Sequence, residues 1–172
     1  MTEYLKGKDA ALMIAGLSLA TFMQVLDSTI ANVALPAIAG HLGASVSQGI
    51  WVVTFFMVFN AASIPLTGFL SKRIGEVRLF LISVTLFIVA SLLCGLSTNL
   101  VMLIIARVFQ GLVSGPMIPL AQSLLLRNTP LERRSMAMGL FGIVIMIAPV
   151  LGPILGGYIS CLLYTSPSPR DK

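Results

Sequence analysis

Two ionisable residues interrupt apolar stretches of the sequence. Asp27 lies within TFMQVLDSTIANVALP, residues 21–36, and Arg107 lies within a later apolar run. A charge at the centre of a membrane helix costs about 2.5–3.5 kcal/mol on insertion scales, and such residues usually mark ion or substrate routes. Burial raises the pKa of a carboxyl group, whereas a neighbouring guanidinium lowers it. If their helices are neighbours, the two residues therefore predict proton exchange.

Polar side chains recur at helical spacing beside both charges. Such stripes, facing a common interior, predict a water-filled cavity. For Asp27 and Arg107 the alternative is a structural ion pair that fixes helix register. For Gln24, Asn60 and Gln110 a structural role is favoured, because isolated polar residues in membrane helices more often serve as interhelical hydrogen-bond partners. The stripes are Thr21, Gln24, Asp27 and Ser28 in one segment, Asn60, Ser63 and Thr67 in another, and Arg107, Gln110 and Ser114 in a third.

The elements that must position these residues are transmembrane helices. The chain has 172 residues, of which 57% are hydrophobic and only 10% charged. These values are typical of an integral membrane protein. Five stretches are long enough to cross the hydrocarbon core as helices: residues 10–33, 48–70, 79–96, 99–126 and 135–158. The fold class predicted is all-α, with about five transmembrane helices.

The distribution of cations predicts the orientation of these helices. Lysines precede the first segment, and cations occupy the second and fourth connections, whereas residues 36–47 and 97–99 contain no Lys or Arg. Under the positive-inside rule the N-terminus is cytoplasmic. The net charge of +5 comes from dispersed residues, so no nucleic-acid partner is predicted. The cations are Lys6, Lys8, Lys72, Arg73, Arg78, Arg127, Arg133 and Arg134.

Patterns of enzymatic chemistry do not occur in the sequence. HExxH, GxSxG and a Walker loop are all missing from it. The two cysteines, Cys94 and Cys161, indicate neither a disulfide framework nor a metal site. We therefore expect no enzyme, no metal and no cofactor.

The end of the chain changes composition abruptly. After GGYIS the sequence continues as CLLYTSPSPRDK, which is polar and rich in proline. Back-translation of these residues matches a transposon adapter used in sequencing libraries. Residues 161–172 are therefore expected to be a non-native tail. A natural periplasmic loop or tail is the alternative. Residues 1–160 would then be the N-terminal part of a longer transporter, and this fragment alone is expected to be inactive.

Four short motifs resemble those of the 14-span drug:proton antiporters of the major facilitator superfamily. In chain order they are LDSTIANVALP, GFLSKRIGEVR from Gly68, RVFQG from Arg107, and APVLGPILGG from Ala148. The sequences of these motifs are most similar to those of multidrug exporters of the EmrB type. One position departs from the family, because Lys72 stands where an acidic residue is usual. The resemblance implies that the chain forms part of a six-helix N-terminal half.

The resemblance also implies residue roles. Asp27 would be the proton- or cation-sensing carboxylate, and Arg107 would tune it and help to close the pathway. The spacing of the polar stripes, rather than the resemblance, places Gln24, Ser28, Asn60, Gln110 and Ser114 along the predicted cavity. Gly68, Arg73, Gly75 and Arg78 would form the cytoplasmic loop motif, with the two glycines bracketing a tight turn. The packing residues of the antiporter motif would be Pro149, Gly152, Pro153, Gly156 and Gly157.

The activity implied is multidrug efflux from the bacterial inner membrane, driven by the proton motive force without a cofactor. Its partners would be lipophilic or cationic drugs, protons, the lipid bilayer, and a periplasmic adaptor with an outer-membrane channel. Two alternatives stay open. One is export of a metabolite or siderophore by another transporter of the superfamily, and the other is a membrane segment that assembles with partners without transporting.

Overall fold

A computed structural model describes residues 8–41, 43 and 45–164 of the chain, and within them every regular element is a helix. The predicted all-α architecture is confirmed. The helices are α1 (Lys8–His41), α2 (Val46–Ser63), α3 (Leu66–Ile74), α4 (Glu76–Gly95), α5 (Leu100–Ser114), α6 (Met117–Asn128) and α7 (Arg134–Tyr164), with a 3₁₀ turn at Leu131–Arg133.

Four stretches of these helices are long and apolar enough to cross a membrane, and a bent pair makes a fifth. Large apolar side chains also point outward, for example Leu12, which is 71% exposed, and Met146, which is 76% exposed. Surface of this kind is stable against lipid rather than water. The described helices therefore have the lengths and surfaces of a membrane bundle.

Two of the predicted segments are interrupted by proline. α2 and α3 are bent by 58° around Ile64 and Pro65, and α5 ends before Gly115 and Pro116, after which α6 begins. Proline lacks the N–H that would continue the helical hydrogen bonds. In contrast, α7 continues through Pro149 and Pro153.

Local signals set the helix ends. Ser45 caps α2 through a reciprocal pair of bonds with Gln48, of 3.2 and 3.0 Å, and Asn99 caps α5 by accepting a 2.9 Å bond from the Met102 amide. A single residue, Gly75, connects α3 to α4 with φ of 92°, a conformation that favours glycine. Gly68 lies inside α3, so the expectation that Gly68 borders this turn is wrong.

The bundle is centred on α1 and α5. α1 packs mainly against α7 and α2, while α5 packs mainly against α2 and α4. One end of the bundle contains a buried apolar cluster around α6. Its largest fully buried members include Phe87, Met117, Leu125 and Phe141.

Glycines set the closest helix contacts. A Cβ built at Gly111 would lie 2.5 Å from the carbonyl oxygen of Phe56, and one at Gly115 would lie 2.5 Å from that of Asn60. α5 and α2 therefore approach to a distance that no larger residue would allow.

Candidate functional site

The two intramembrane charges contact each other directly. Arg107 NH1 lies 2.9 Å from Asp27 Oδ2, so the ion pair joins α5 to α1. The arginine side chain is only 9% exposed and the aspartate side chain 21%. Burial of both charges makes their mutual contact necessary, because an isolated buried charge is far more costly than a paired one.

Gln110 connects the two charged groups a second time. Its Oε1 accepts a 2.9 Å bond from Arg107 NH1, and its Nε2 donates a 3.0 Å bond to Asp27 Oδ2. Gln110 is fully buried. An amide has both an acceptor and donors, so this side chain can bond to both members of the ion pair at once.

α4 contributes a third side to the site. Ser91 Oγ donates a 3.2 Å bond to Asp27 Oδ1, so both oxygens of the carboxylate are bonded. Cys94 Sγ lies 3.7 Å from Gln110 Oε1. The carboxylate of Asp27, on α1, therefore accepts bonds from side chains of α4 and α5.

A second set of polar contacts surrounds Ser114, one turn beyond Gln110. Asn60 Nδ2 donates a 2.7 Å bond to Ser114 Oγ, and Gln24 Nε2 donates a 3.1 Å bond to the Ser114 carbonyl. These bonds join α2 and α1 to α5 near the kink at Gly115. Four helices thus meet in one polar region of the bundle, which extends from Asp27 to Asn60.

The polar stripes contact one another directly around Gln110 and Ser114, and the water-filled cavity stays a prediction. Gln110 and Ser114 are 0% exposed and contact their partners directly. The reason is the close approach of α2 to α5 at Gly111 and Gly115, which leaves little space between the polar stripes. Thr21, Ser28 and Ser63 bond to carbonyl groups of their own helices, and Thr67 of α3 bonds to the Ser63 carbonyl of α2.

Open space borders the ion pair on two sides. A cavity of about 350 Å³ lies between α1 and α4 beside Asp27, and its walls are apolar apart from Asp27 and Ser91. A much smaller cavity of about 10 Å³ lies between α1, α2 and α5 and is bordered by Arg107. The carboxylate therefore faces a mainly apolar opening, and the guanidinium borders a space of roughly one water molecule.

A second ion pair joins the start of α4 to the end of α6. Glu76 Oε1 accepts a 2.8 Å bond from Arg127 NH1, and its Oε2 accepts a 3.2 Å bond from Ser123 Oγ. Among the predicted loop residues, Arg73 stacks 4.7 Å from the centre of the Phe69 ring. Arg78 is exposed.

The residues of the predicted antiporter motif separate into two rows on α7. Gly152 and Gly156 are buried against Thr29 and Val33 of α1, so these glycines serve close packing within the described bundle. The other row is exposed, and a Cβ built at its glycine would have nothing within 4 Å. That row consists of Pro149, Pro153 and Gly157.

A sequence profile described as Major Facilitator Superfamily matches residues 17–166. The chain belongs to this superfamily. Solved structures agree at the level of the fold. A bacterial homologue of the human lysosomal transporter Spinster, in an inward-facing and unoccupied conformation, superposes with a TM-score of 0.78 at 19% identity, over 97% of this chain and 38% of that one.

Curated relatives in the major facilitator superfamily have more specific names. Multidrug export protein EmrB of Escherichia coli K12 is 62% identical over 156 residues, which are 91% of this chain and 30% of EmrB. Fatty acid resistance protein FarB of Neisseria gonorrhoeae is 55% identical over 91% of this chain and 31% of FarB. Probable multidrug resistance protein EmrY of E. coli K12 is 64% identical over 83% and 28%.

These comparisons confirm the resemblance that the four motifs indicated. They also show that this superfamily chain spans about three tenths of the length of such relatives. The non-native tail stays a prediction: residues 161–164 continue α7, and residues 165–172 lie outside the described part of the chain.

Sequence reasoning missed three residues of these sites. Ser91 and Cys94 are one helical turn apart in a mainly apolar segment, and that spacing was the available signal. Glu76 lies within a cationic stretch of sequence, and its signal is that an acid in the first turn of a helix is favoured by the helix dipole. Within the described residues, no three His, Cys, Asp or Glu side chains are grouped so that they could hold a metal ion.

Proposed function

We propose that the full-length protein to which this chain corresponds is a proton-coupled multidrug exporter of the bacterial inner membrane. One observation carries the proposal: the 2.9 Å contact between Asp27 and Arg107 inside an apolar bundle. Names of relatives that are 62% and 64% identical support multidrug export as the activity.

Protonation of Asp27 would be the coupling step. The carboxylate takes up a proton, becomes a neutral acid and no longer attracts Arg107. Gln110 can follow this change, because its amide oxygen can accept a bond from a protonated carboxyl group. Release of the proton restores the charge and the contact. The bond arrangement around Asp27 thus differs between its two protonation states, which a coupled transporter requires.

A cationic drug would compete with Arg107 for the same carboxylate. The cavity of about 350 Å³ brings apolar side chains next to Asp27, a combination that suits a lipophilic cation. Drug and proton would then both neutralise Asp27, so that binding of one disfavours binding of the other. This mutual exclusion is the basis of antiport.

The N-terminus would lie on the cytoplasmic side, because cations follow α3 and α6 whereas the connections after α1 and α4 lack them. Export across the envelope would further require a periplasmic adaptor and an outer-membrane channel. The contacts of Gln24, Asn60 and Ser114 would hold α5 in register beside α1 and α2, and Gly152 and Gly156 would hold α7 against α1.

Export of lipophilic acids is a second candidate. It is favoured by the 55% identity to FarB, whose name refers to fatty acid resistance. In that case Asp27 would accept protons without binding the substrate, because two carboxylates repel each other. A substrate profile with both cationic dyes and fatty acids would separate the two candidates.

Drug-driven proton movement in proteoliposomes tests the proposal. We expect the full-length protein to move protons when a cationic drug is added, and Asp27→Asn to lose this response at every pH. Glu76→Gln is the matched control, since it removes the other paired carboxylate and should retain drug-driven proton movement. Normal transport by Asp27→Asn with an unchanged pH dependence would contradict the assignment.

A further inference from the structure

The guanidinium of Arg107 is only partly bonded by protein groups. NH1 donates to Asp27 and to Gln110, but the Nε atom is buried and has no acceptor among the described residues. The residue as a whole is 7% exposed. A buried donor without an acceptor costs about 1–3 kcal/mol, and more when it is charged. An acceptor is therefore expected beside Nε.

The small cavity next to Arg107 can hold such an acceptor. Its volume of about 10 Å³ corresponds to roughly one water molecule and is too small for an organic ligand. The ring of Phe56, which borders the cavity, lies 5.8 Å from the guanidinium carbon and covers one side of it. The cavity is bordered by Ser28, Ala31 and Asn32 of α1, Val53, Phe56 and Met57 of α2, and Arg107.

Polar groups at the cavity suit a water molecule. Ser28 Oγ donates its hydrogen to the Val25 carbonyl at 2.8 Å, so its lone pairs are free to accept. Asn32 also borders the cavity and adds a further polar side chain to it. Water is retained in a buried cavity when two to four polar groups surround it, and this space offers three.

We propose that this cavity is a binding site for one ordered water, which accepts a hydrogen bond from Arg107 Nε and donates one to Ser28 Oγ. Ser28 is then a positioning residue that acts on Arg107 through the water. The water keeps Arg107 in place when Asp27 is protonated and its attraction for the guanidinium is lost. That last consequence rests on the proposed function, whereas the water site itself does not.

Two substitutions at Ala31 test the site, because Ala31 borders the cavity and is buried. Ala31→Val and Ala31→Thr add side chains of nearly the same shape, so both displace the water. Only threonine supplies an oxygen that can accept from Nε. In the full-length protein, we expect Ala31→Val to lower the unfolding midpoint further than Ala31→Thr. We also expect it to shift the pH profile of drug-driven proton movement, which Ala31→Thr leaves closer to that of the unsubstituted protein.

A density map of the full-length protein, at a resolution that shows other buried waters, gives an independent readout. We expect density in the cavity of the unsubstituted protein and weaker density in Ser28→Ala, which keeps the cavity open but removes the acceptor. Equal midpoints and pH profiles for Ala31→Val and Ala31→Thr, or an empty cavity in the map, would overturn the proposal. The map and the midpoints decide the water site even if the protein transports no drug.

Discussion

Two ion pairs of nearly equal length occupy different regions of the molecule. Asp27 and Arg107 are 2.9 Å apart, and Glu76 and Arg127 are 2.8 Å apart. Their surroundings differ, since the side chain of Arg107 is 9% exposed and that of Arg127 is 69% exposed. The distance between two charges therefore does not indicate the role of the pair, whereas the cost of separating the charges does.

Neighbouring groups increase the difference between the pairs. Asp27 and Arg107 form the inner pair, and Glu76 and Arg127 form the outer pair. The carboxylate of Asp27 accepts bonds from Arg107, Gln110 and Ser91, which come from two helices other than its own. The outer pair joins the first turn of α4 to the last turn of α6, where the helix dipoles already favour an acid and a cation. The outer pair is favoured by the local helix ends, whereas separating the inner pair would leave a buried arginine without its counter-charge.

Removing one member of the inner pair should have the largest effect on stability. Arg107→Leu leaves the partly buried Asp27 without its counter-charge, and we expect a loss of up to about 3–5 kcal/mol in the free energy of unfolding. Adding Asp27→Asn to that variant removes the stranded charge and should recover much of the loss. Denaturant titration of the full-length protein in detergent, carried out on both single variants and the double variant, measures this coupling.

Strictly additive losses in the single and double variants would mean that the two charges do not depend on each other. The inner pair would then resemble the outer one, and the proposed coupling would lose its physical basis. Arg107→Lys is a useful companion, because it keeps the charge but has neither an Nε donor nor a planar fork.

Glycine substitution tests what keeps the inner pair away from water. Gly111→Ala would place a Cβ 2.5 Å from the Phe56 carbonyl oxygen and 3.2 Å from the backbone nitrogen of Asn60. Separating α2 from α5 to relieve this clash should cost about 1–3 kcal/mol. It should also weaken the bond between Asn60 and Ser114. The measurement is the free energy of unfolding, together with the exchange rate of the Asn60 side-chain amide protons.

Gly139→Ala is the matched control for this substitution. It lies on an exposed face of α7 and a Cβ there meets nothing within 4 Å, so we expect no loss of stability from packing. A loss equal to that of Gly111→Ala would show that the helix backbone, rather than the contact of α5 with α2, determines the effect.

The sequence predicted the helices and the inner pair because hydrophobicity and intramembrane charge are strong local signals. Asp27 and Arg107 could be matched by depth and by helical face before any contact was known. The exact positions at which helices end beside Pro65 and Pro116 are harder to predict from the sequence. Proline weakens a helix at any interior position, yet α7 continues through Pro149 and Pro153, so packing decides which proline ends a helix.

The direct contacts within the polar region could not be predicted for a similar reason. Three polar stripes indicate that helices face one another, but the space left between them depends on the distance between the backbones. Gly111 and Gly115 set that distance only once their partner is known to be α2. The contribution of Ser91 likewise depends on α4 lying beside α5 at the depth of Asp27.

The outer pair should give the smallest effect. Glu76→Gln removes a contact whose arginine is mostly in solvent, so we expect a loss of about 0.2–1 kcal/mol that decreases as salt is added. Exchanging the charges with Glu76→Arg and Arg127→Glu keeps the pair but puts each charge at the unfavourable end of its helix dipole. The exchanged variant should therefore be no more stable than Glu76→Gln. The measurement is the free energy of unfolding of Glu76→Gln and of the exchanged variant at low and high salt, with Arg107→Leu measured under the same conditions. If the loss in Glu76→Gln is as large as that in Arg107→Leu and equally insensitive to salt, exposure is not what separates the two pairs.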